Sequence, residues 1–298
     1  MNKKLIRNEY EKKIKLLKYY NQKYFNENLS EITDAKYDLI KKEIGKLEAK
    51  YNFLRDKNSP TVTVGYKPSR YFKKAVHKVP MLSLSNAFSE EDLQNFQKKI
   101  LNYLDKSNNF EIEYSAEPKI DGISASLIYK NGKLHSGLSR GDGKEGEDIS
   151  ENLKTIKDIP QTINHKNFPK EIDIRGEVFI QNSDFLKLKD KFANPRNAAS
   201  GSLRQKNPEE TQKIPLKFIA YTYGFEKGMA IINQKDFLKN LSLWGFKTNP
   251  LNKIIKGIKN LMMNYEDVEK KRTEIDFDID GIVYKVNDLK LQSRLGYV

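Results

Sequence analysis

Apolar residues at three- and four-residue steps open the chain. Ile6, Tyr10, Ile14, Leu17 and Tyr24 fall on one stripe of a helix predicted from Asn2 to about Tyr24. A polar break, Asn26-Glu27-Asn28-Leu29-Ser30, follows. A second helix is predicted from Thr33 or Asp34, both suited to an N-cap, with Tyr37, Ile40, Ile44, Leu47 and Tyr51 as its stripe. Together they predict a helical hairpin able to dock on, or swing against, a larger body. The pattern then lapses. From Asn58-Ser59-Pro60 to Val79-Pro80 there are three prolines and few apolar clusters, which predicts a mostly irregular linker.

Periodicity resumes at Ser89, an N-cap with Glu90, Glu91 and Asp92 in the first turn and Leu93, Phe96, Ile100 and Leu104 as the buried stripe. Phe110 to Tyr114 alternates as a half-buried strand does, and an apolar run from Ile123 to Tyr129 comes soon after. Asn131-Gly132 joins two alternating runs, a strong hairpin signal. Glu171 to Ile180 reads as a strand broken at Gly176, and Ile214 to Gly224 as another strand. A helix from Gln234 ends at Trp244, with Gly245 just past it. A further helix near Tyr265 to Arg272 leads into a last strand, Phe277 to Val286, in which residues 277 to 280 alternate strictly. The predicted class is α+β: an N-terminal helical hairpin, then mainly antiparallel sheets flanked by helices.

Composition narrows the partners. A chain of 298 residues has room for one or two domains, and 38% hydrophobic with 11% aromatic residues suffices for packed layers. A net charge of +14 points to a polyanion, nucleic acid foremost, although an AT-rich genome also enriches lysine. With 0 cysteines there is neither a disulfide frame nor a cysteine zinc site, and His77, His135 and His165 lack metal-ligand spacing, so no metal is expected on the side chains of this chain. No apolar run is long enough to span a membrane, and the basic start leads into a charged helix and not a signal peptide, so a cytoplasmic protein with no membrane partner is expected.

The candidate chemistry centres on Ala116-Glu117-Pro118-Lys119-Ile120-Asp121-Gly122, between the strand and the apolar run. Lysine is a nucleophile only as the neutral amine, a small fraction at neutral pH for an ordinary pKa of about 10.4. Burial or a nearby cation increases that fraction; Glu117 and Asp121 alone decrease it. A catalytic Lys119 therefore calls for other cations. Taken alone, the stretch fits a surface lysine paired with its flanking acids equally well. Gly141-Asp142-Gly143-Lys144-Glu145-Gly146 formally matches a dinucleotide-binding glycine motif, but it follows a hairpin and is crowded by Asp142, Glu145, Glu147 and Asp148, so a Rossmann reading is rejected.

Lys119-x-Asp121-Gly122 matches the K-x-D-G signature of covalent nucleotidyltransferases. Four more stretches accompany it: Ser139-Arg140-Gly141-Asp142-Gly143, Arg175-Gly176-Glu177-Val178-Phe179, Asn194-Pro195-Arg196-Asn197-Ala198-Ala199 and Asp280-Gly281-Ile282-Val283-Tyr284-Lys285. In this order, across essentially the whole chain, they resemble the NAD+-dependent DNA ligases of bacteria. The resemblance implies an ATP-grasp-like ligase core over residues 69–298, behind a helical domain over residues 1–68 that recognises the nicotinamide mononucleotide half of NAD+. It implies that Lys119 attacks NAD+ to form lysyl-AMP, with Asp121 and Lys285 also catalytic, and that AMP then passes to the 5′-phosphate of nicked duplex DNA in replication and repair.

The same resemblance implies nicotinamide-side contacts from Tyr24, Asp34, Tyr37 and Asp38, with Phe25 standing where the family has His or Tyr. Ser83, Leu84, Glu117, Ile120, Arg140, Glu177, Tyr221, Arg272 and Lys285 are implied to bind the rest of the cofactor, with Arg140 and Glu177 at the ribose, Tyr221 stacked on adenine and Arg272 near the phosphates. Arg196 and Arg204 are implied at the DNA 5′-phosphate. Mg2+, replaceable by Mn2+, is implied through waters and phosphates. In the family a further lysine strand, an oligonucleotide-binding barrel, a zinc finger, helix-hairpin-helix repeats and a BRCT domain follow. The expectation is therefore a monomeric fragment truncated at Val298, with any zinc site beyond it, that binds NAD+ but seals nicks poorly. An ATP-using ligase or capping enzyme, and a nucleic-acid-binding module without chemistry, are the competing readings.

Overall fold

The computed structural model describes residues 3–26, 32, 34–54, 59 and 72–296. In chain order it runs α1 (Lys3–Asn26), α2 (Asp34–Lys50), β1 (Lys74–Val76), α3 (Glu90–Tyr103), β2 (Glu113–Ile120), β3 (Ile123–Lys130), β4 (Lys133–Ser139) and β5 (Glu145–Glu147). It continues α4 (Ser150–Lys154), β6 (Glu171–Ile180), α5 (Asn182–Phe185), α6 (Pro195–Leu203), α7 (Pro208–Gln212) and β7 (Leu216–Lys227). The last elements are α8 (Gln234–Leu243), β8 (Lys253–Lys256), α9 (Ile258–Lys271), β9 (Ile279–Val286) and α10 (Leu289–Leu295). The class is α+β, as expected. Two compact units form: Met1–Ser83 with Arg140–Glu147, and Leu84–Ser139 with Asp148–Val298.

In the first unit the two helical stripes meet. Ile6, Tyr10, Leu17, Ile44 and Leu54 are buried, with Ile14, Tyr37, Ile40, Leu47 and Tyr51 packed against them. The side chain of Tyr24 and the proposed cap Thr33 lie outside the described residues. Cross-helix bonds finish the hairpin: Tyr10 donates to Glu48 at 2.8 Å and Tyr37 to Asn21 at 2.8 Å. The predicted linker is not wholly irregular, since β1 pairs with β5; its residues 60–71 lie outside the described residues. The Gly141–Gly143 turn precedes β5. Gly141 (φ 59) and Gly143 (φ 89) take left-handed conformations, and a Cβ on Gly143 would sit 2.8 Å from the Met81 carbonyl. The glycines thus serve a tight turn.

The second unit holds two antiparallel sheets, ordered β8-β2-β9 and β4-β3-β6-β7. All named strand pairs among the described residues are antiparallel, which is incompatible with a Rossmann unit. Helices α3 and α9 cover one face of the three-stranded sheet, burying Leu93, Ile100, Leu101, Leu104, Tyr114, Leu261 and Val286. Ser89 caps α3 through the Asp92 amide, worth about 1 kcal/mol. A ring cluster gathers Tyr129, Phe168, Phe246, Trp244 and Phe237, with Phe168 and Trp244 centroids 4.9 Å apart, edge to face. Gly245 (φ 92) ends α8 as expected, and Asn131 (φ 48) with Gly132 (φ 75) turns the β3–β4 hairpin.

Several elements differ from expectation. The strand expected over Phe110–Tyr114 begins only at Glu113, and it continues through the nucleophile motif to Ile120. Alternation at 110–112 comes from the approach to the strand: Ile112 is already in the core. β6 is unbroken at Gly176; it absorbs the irregularity as register shifts against β7. Residues 195–203, for which the pattern predicted no element, form a helix started by the Asn194 cap and a proline in its first turn. α9 begins at Ile258, seven residues before the predicted start, because Gly257 precedes it as N-cap with Leu261 in the core.

Gly176→Ala is expected to destabilise the protein by about 1–3 kcal/mol. The added Cβ would meet the Ile219 carbonyl and the Phe218 ring, 2.7 Å from Cε2. Urea unfolding followed by circular dichroism checks this; a midpoint equal to that of the parent would contradict it.

Candidate active site

Alternate residues of a strand point to opposite faces, so the three-stranded sheet has two chemically different sides. Tyr114, Tyr284 and Val286 turn to the α3–α9 core. Ser115, Glu117 and Lys285 take the other side, Ser115 directly across the β2–β9 ladder from Lys285. The Glu117 carboxylate, 4% exposed, is fully engaged. Its Oε1 accepts from Ser115 Oγ at 2.8 Å and Gln234 Nε2 at 2.9 Å, and its Oε2 accepts from Lys285 Nζ at 2.7 Å. The Tyr221 carbonyl accepts from Lys285 Nζ at 2.9 Å and from Gln234 Nε2 at 2.9 Å. Lys285 Nζ also lies 5.3 Å from the Tyr221 ring centroid. Either charge buried alone would cost several kcal/mol; paired and hydrogen-bonded, the network is tolerated.

Lys119 stands near the end of β2, where the ladder to β9 shifts register between Pro118 and Ile120. Gly281 (φ 104) adopts a left-handed conformation in the facing strand. Lys119 Nζ is ion-paired with Asp280, and the lysine side chain is 41% exposed, so it is not a desolvated amine. One step further, Asp121 pairs with Arg196 Nη1, while its amide donates to the Asp278 carbonyl at 2.9 Å. Burial pushes the Arg196 guanidinium down to about 10, against an upward pull from Asp280. Two cations and two anions therefore alternate around the strand end.

Gly122 carries the chain from one sheet to the other. A Cβ there would meet the Val178 carbonyl, Glu177 Cγ at 2.8 Å and Phe179 Cβ at 3.2 Å. The glycine of K-x-D-G is required by this close approach to β6. Glu177, at the same crossing, accepts from Ser124 Oγ at 3.0 Å. Ile120, Phe179 and Ile219 form a small buried cluster here, with Phe277 packed on it.

The lysine-bearing strand end, the second lysine on β9 and the α6 arginine each pair with a carboxylate, and comparison with known proteins names the family. Residues 69–298 match the family model for the NAD-dependent DNA ligase adenylation domain, and residues 3–65 match that for the DNA ligase-like, N-terminal NAD+-binding domain. The chain belongs to the NAD-dependent DNA ligase family. It is 66% identical to a DNA ligase of Pelagibacter ubique (strain HTCC1062), over 100% of this chain and 44% of that protein. It is 43% identical to a DNA ligase of Bradyrhizobium sp. (strain ORS 278), over 95% of this chain and 40% of that one. The chain thus spans less than half the length of these curated relatives. The solved ATP-dependent DNA ligase of bacteriophage T7 superposes with a TM-score of 0.35 at 16% identity, over 71% of this chain and 66% of that one.

Within this ligase-family chain, the second unit brings Glu117, Lys119, Asp121, Arg196, Tyr221 and Lys285 into two adjoining polar clusters along β2. Glu177 flanks them at Gly122, and Ile120 lies in the apolar cluster beside it. Arg272 follows α9, bonded to Glu269 at 2.8 Å, which raises its pKa, and to the Ile279 carbonyl at 2.6 Å. Arg204 occupies the C-cap of α6, at the opposite end from Arg196. In the first unit, Arg140 Nε donates to the Met81 carbonyl at 3.3 Å. Ser83 and Leu84 are exposed on the irregular segment before α3. Tyr37 lies against the hairpin core; the side chains of Tyr24, Phe25, Asp34 and Asp38 lie outside the described residues.

Sequence reasoning assigned no role to Asp280, Gln234, Ser115 or Ser124. Asp280 carried a signal, the Asp-Gly before the Ile-Val-x-Lys run; Gln234 carried none beyond opening a helix. Glu117→Ala is expected to cost about 3 kcal/mol, because it leaves the Lys285 ammonium, 18% exposed, without its carboxylate. Replacing Glu117 and Lys285 together by Met is expected to recover most of that loss. Thermal unfolding of both variants checks the pair; equal losses would contradict it. Among the described residues no helix is long and apolar enough to cross a membrane.

Proposed function

We propose that this chain is the adenylation part of an NAD+-dependent DNA ligase, with residues 1–68 as nicotinamide-recognition domain and residues 69–298 as adenylation domain. The observation that carries the reading is the Lys119–Asp280 pair at the exposed end of a central strand, in a chain whose two parts match the adenylation and NAD+-binding families. Lys119 Nζ attacks the adenylyl phosphorus of NAD+. A phosphorus–nitrogen bond forms, the phosphorus–oxygen bond to nicotinamide mononucleotide breaks, and that mononucleotide leaves with the electron pair. The ammonium proton must depart before attack, and Asp280 is the acceptor already bonded to it. Lys285, held by Glu117 and the Tyr221 carbonyl, presents its charge to the nucleotide, with Tyr221 stacking on the base. Glu177 accepts from the ribose hydroxyls. Asp121 and Arg196 exchange their mutual pair for contacts to reactants, and Arg196 and Arg204 receive the DNA 5′-phosphate, guanidinium being suited to it.

Among the described residues no three His, Cys, Asp or Glu side chains converge to hold a metal. Mg2+, replaceable by Mn2+, would act through waters and the nucleotide's phosphates and supply charge neutralisation there. Sealing of nicked duplex DNA, the second half of the activity, is proposed for the longer protein; the net charge of +14 suits that partner.

Intact mass after incubation with NAD+ and Mg2+ is expected to rise by one AMP. The gain is expected to be absent with ATP and abolished by Lys119→Ala. A gain from ATP alone would make this an ATP-using enzyme. Salt-sensitive DNA binding indifferent to Lys119→Ala, with no adduct, would make it a binding module.

A further inference from the structure

We infer that Gln234 is a positioning residue that acts through Lys285. The inference rests on the proposed role of Lys285 at the nucleotide. Gln234 is the first residue of α8 and is 1% exposed. A buried amide in a first turn usually serves its own helix; here that task is done by Asn233, whose side chain accepts from the Asp236 amide. The Gln234 side chain instead spends its Nε2 donors on the Glu117 carboxylate and the Tyr221 carbonyl, each at 2.9 Å. These are the two acceptors that hold the Lys285 ammonium, at 2.7 and 2.9 Å.

The consequence is geometric. Glu117 belongs to β2, Tyr221 to β7 and Lys285 to β9, so the two acceptors come from different sheets. Besides Lys285 itself, Gln234 is bonded to both. It fixes the rotation of the carboxylate, which Ser115 holds from one further side, and it fixes the direction of the carbonyl lone pairs. With both acceptors set, the third ammonium donor of Lys285 points one way, so the donor is aimed before any ligand arrives. Preorganised donors contribute most where charge is buried. Without the amide, Glu117 is held by Ser115 and Lys285 alone and the Tyr221 carbonyl loses a bond; Lys285 keeps its charge but is less firmly aimed.

Chemical labelling tests this independently of catalysis. Lys285 acetylation by acetic anhydride, followed by peptide mass spectrometry on the full 298-residue chain, is expected to be slow in the parent. In Gln234→Ala it is expected to rise about tenfold, the scale of one lost hydrogen bond to a charged group, with the melting temperature as the control for global loosening. Unchanged Lys285 labelling overturns the inference, and so does a rise that labelling under stabilising conditions, which restore the parent's melting temperature, abolishes. AMP-adduct formation from NAD+ then gives a double-mutant cycle. Gln234→Ala is expected to slow adduct formation in the parent and to add nothing in Lys285→Ala; additive losses overturn the inference. If labelling responds as expected but the parent forms no adduct, Gln234 positions Lys285 and it is the adenylation reading that fails.

Discussion

The constraint on which the rest of the structure depends is the ion pair of Glu117 and Lys285, buried on the inner face of a three-stranded sheet. A carboxylate at 4% exposure is tolerable only with its oxygens occupied, and they are, by Ser115, Gln234 and Lys285. Satisfying it demands that β2 and β9 lie in one register, that β7 bring a carbonyl within reach and that α8 begin where it does. The pair thereby ties together elements 168 residues apart in sequence. Its contribution is to uniqueness of geometry more than to net stability, since an apolar pair of similar size would be about as stable.

From that fixed register the candidate nucleophile inherits its place. β2 continues two residues past Glu117 to Lys119, and the slip in the ladder, with Gly281 at φ 104 opposite, sets Asp280 against Lys119. The chain then crosses between sheets at Gly122, so close to β6 that no side chain fits. Catalytic function is thus proposed at a seam, where one sheet ends and another begins. Placing charged groups there leaves Lys119 partly open to solvent while Glu117, two residues earlier, is enclosed.

Much of this was legible in the linear pattern. The two helical stripes of the hairpin, the Ser89 cap, the Asn131-Gly132 turn and the Gly245 stop all rest on local physics, and each appears in the structure. Motif wording singled out Lys119, Asp121, Arg196 and Lys285, and the structure sets each against a carboxylate or a guanidinium. Less legible were the start of β2 at Glu113, the unbroken β6 and the helix over residues 195–203. In the first two places tertiary packing overrides local signals: Ile112 is buried without being in a strand, and Gly176 is accommodated by the Phe218 ring; the helix over residues 195–203 has its own Asn194 cap and packs against β6.

The sequence by itself determined what depends on neighbours a few residues away: helix faces, caps, turns, the α+β class and the family to which the motifs belong. The tertiary structure decided which charge meets which. Nothing within a few residues of Lys119 indicates that Asp280 is a partner. Nor does anything near Gln234 indicate that its amide spans two sheets. Those pairings arise from strand register and sheet crossing, which are long-range, and from the cost of leaving any buried polar group unsatisfied, which only the assembled core can impose.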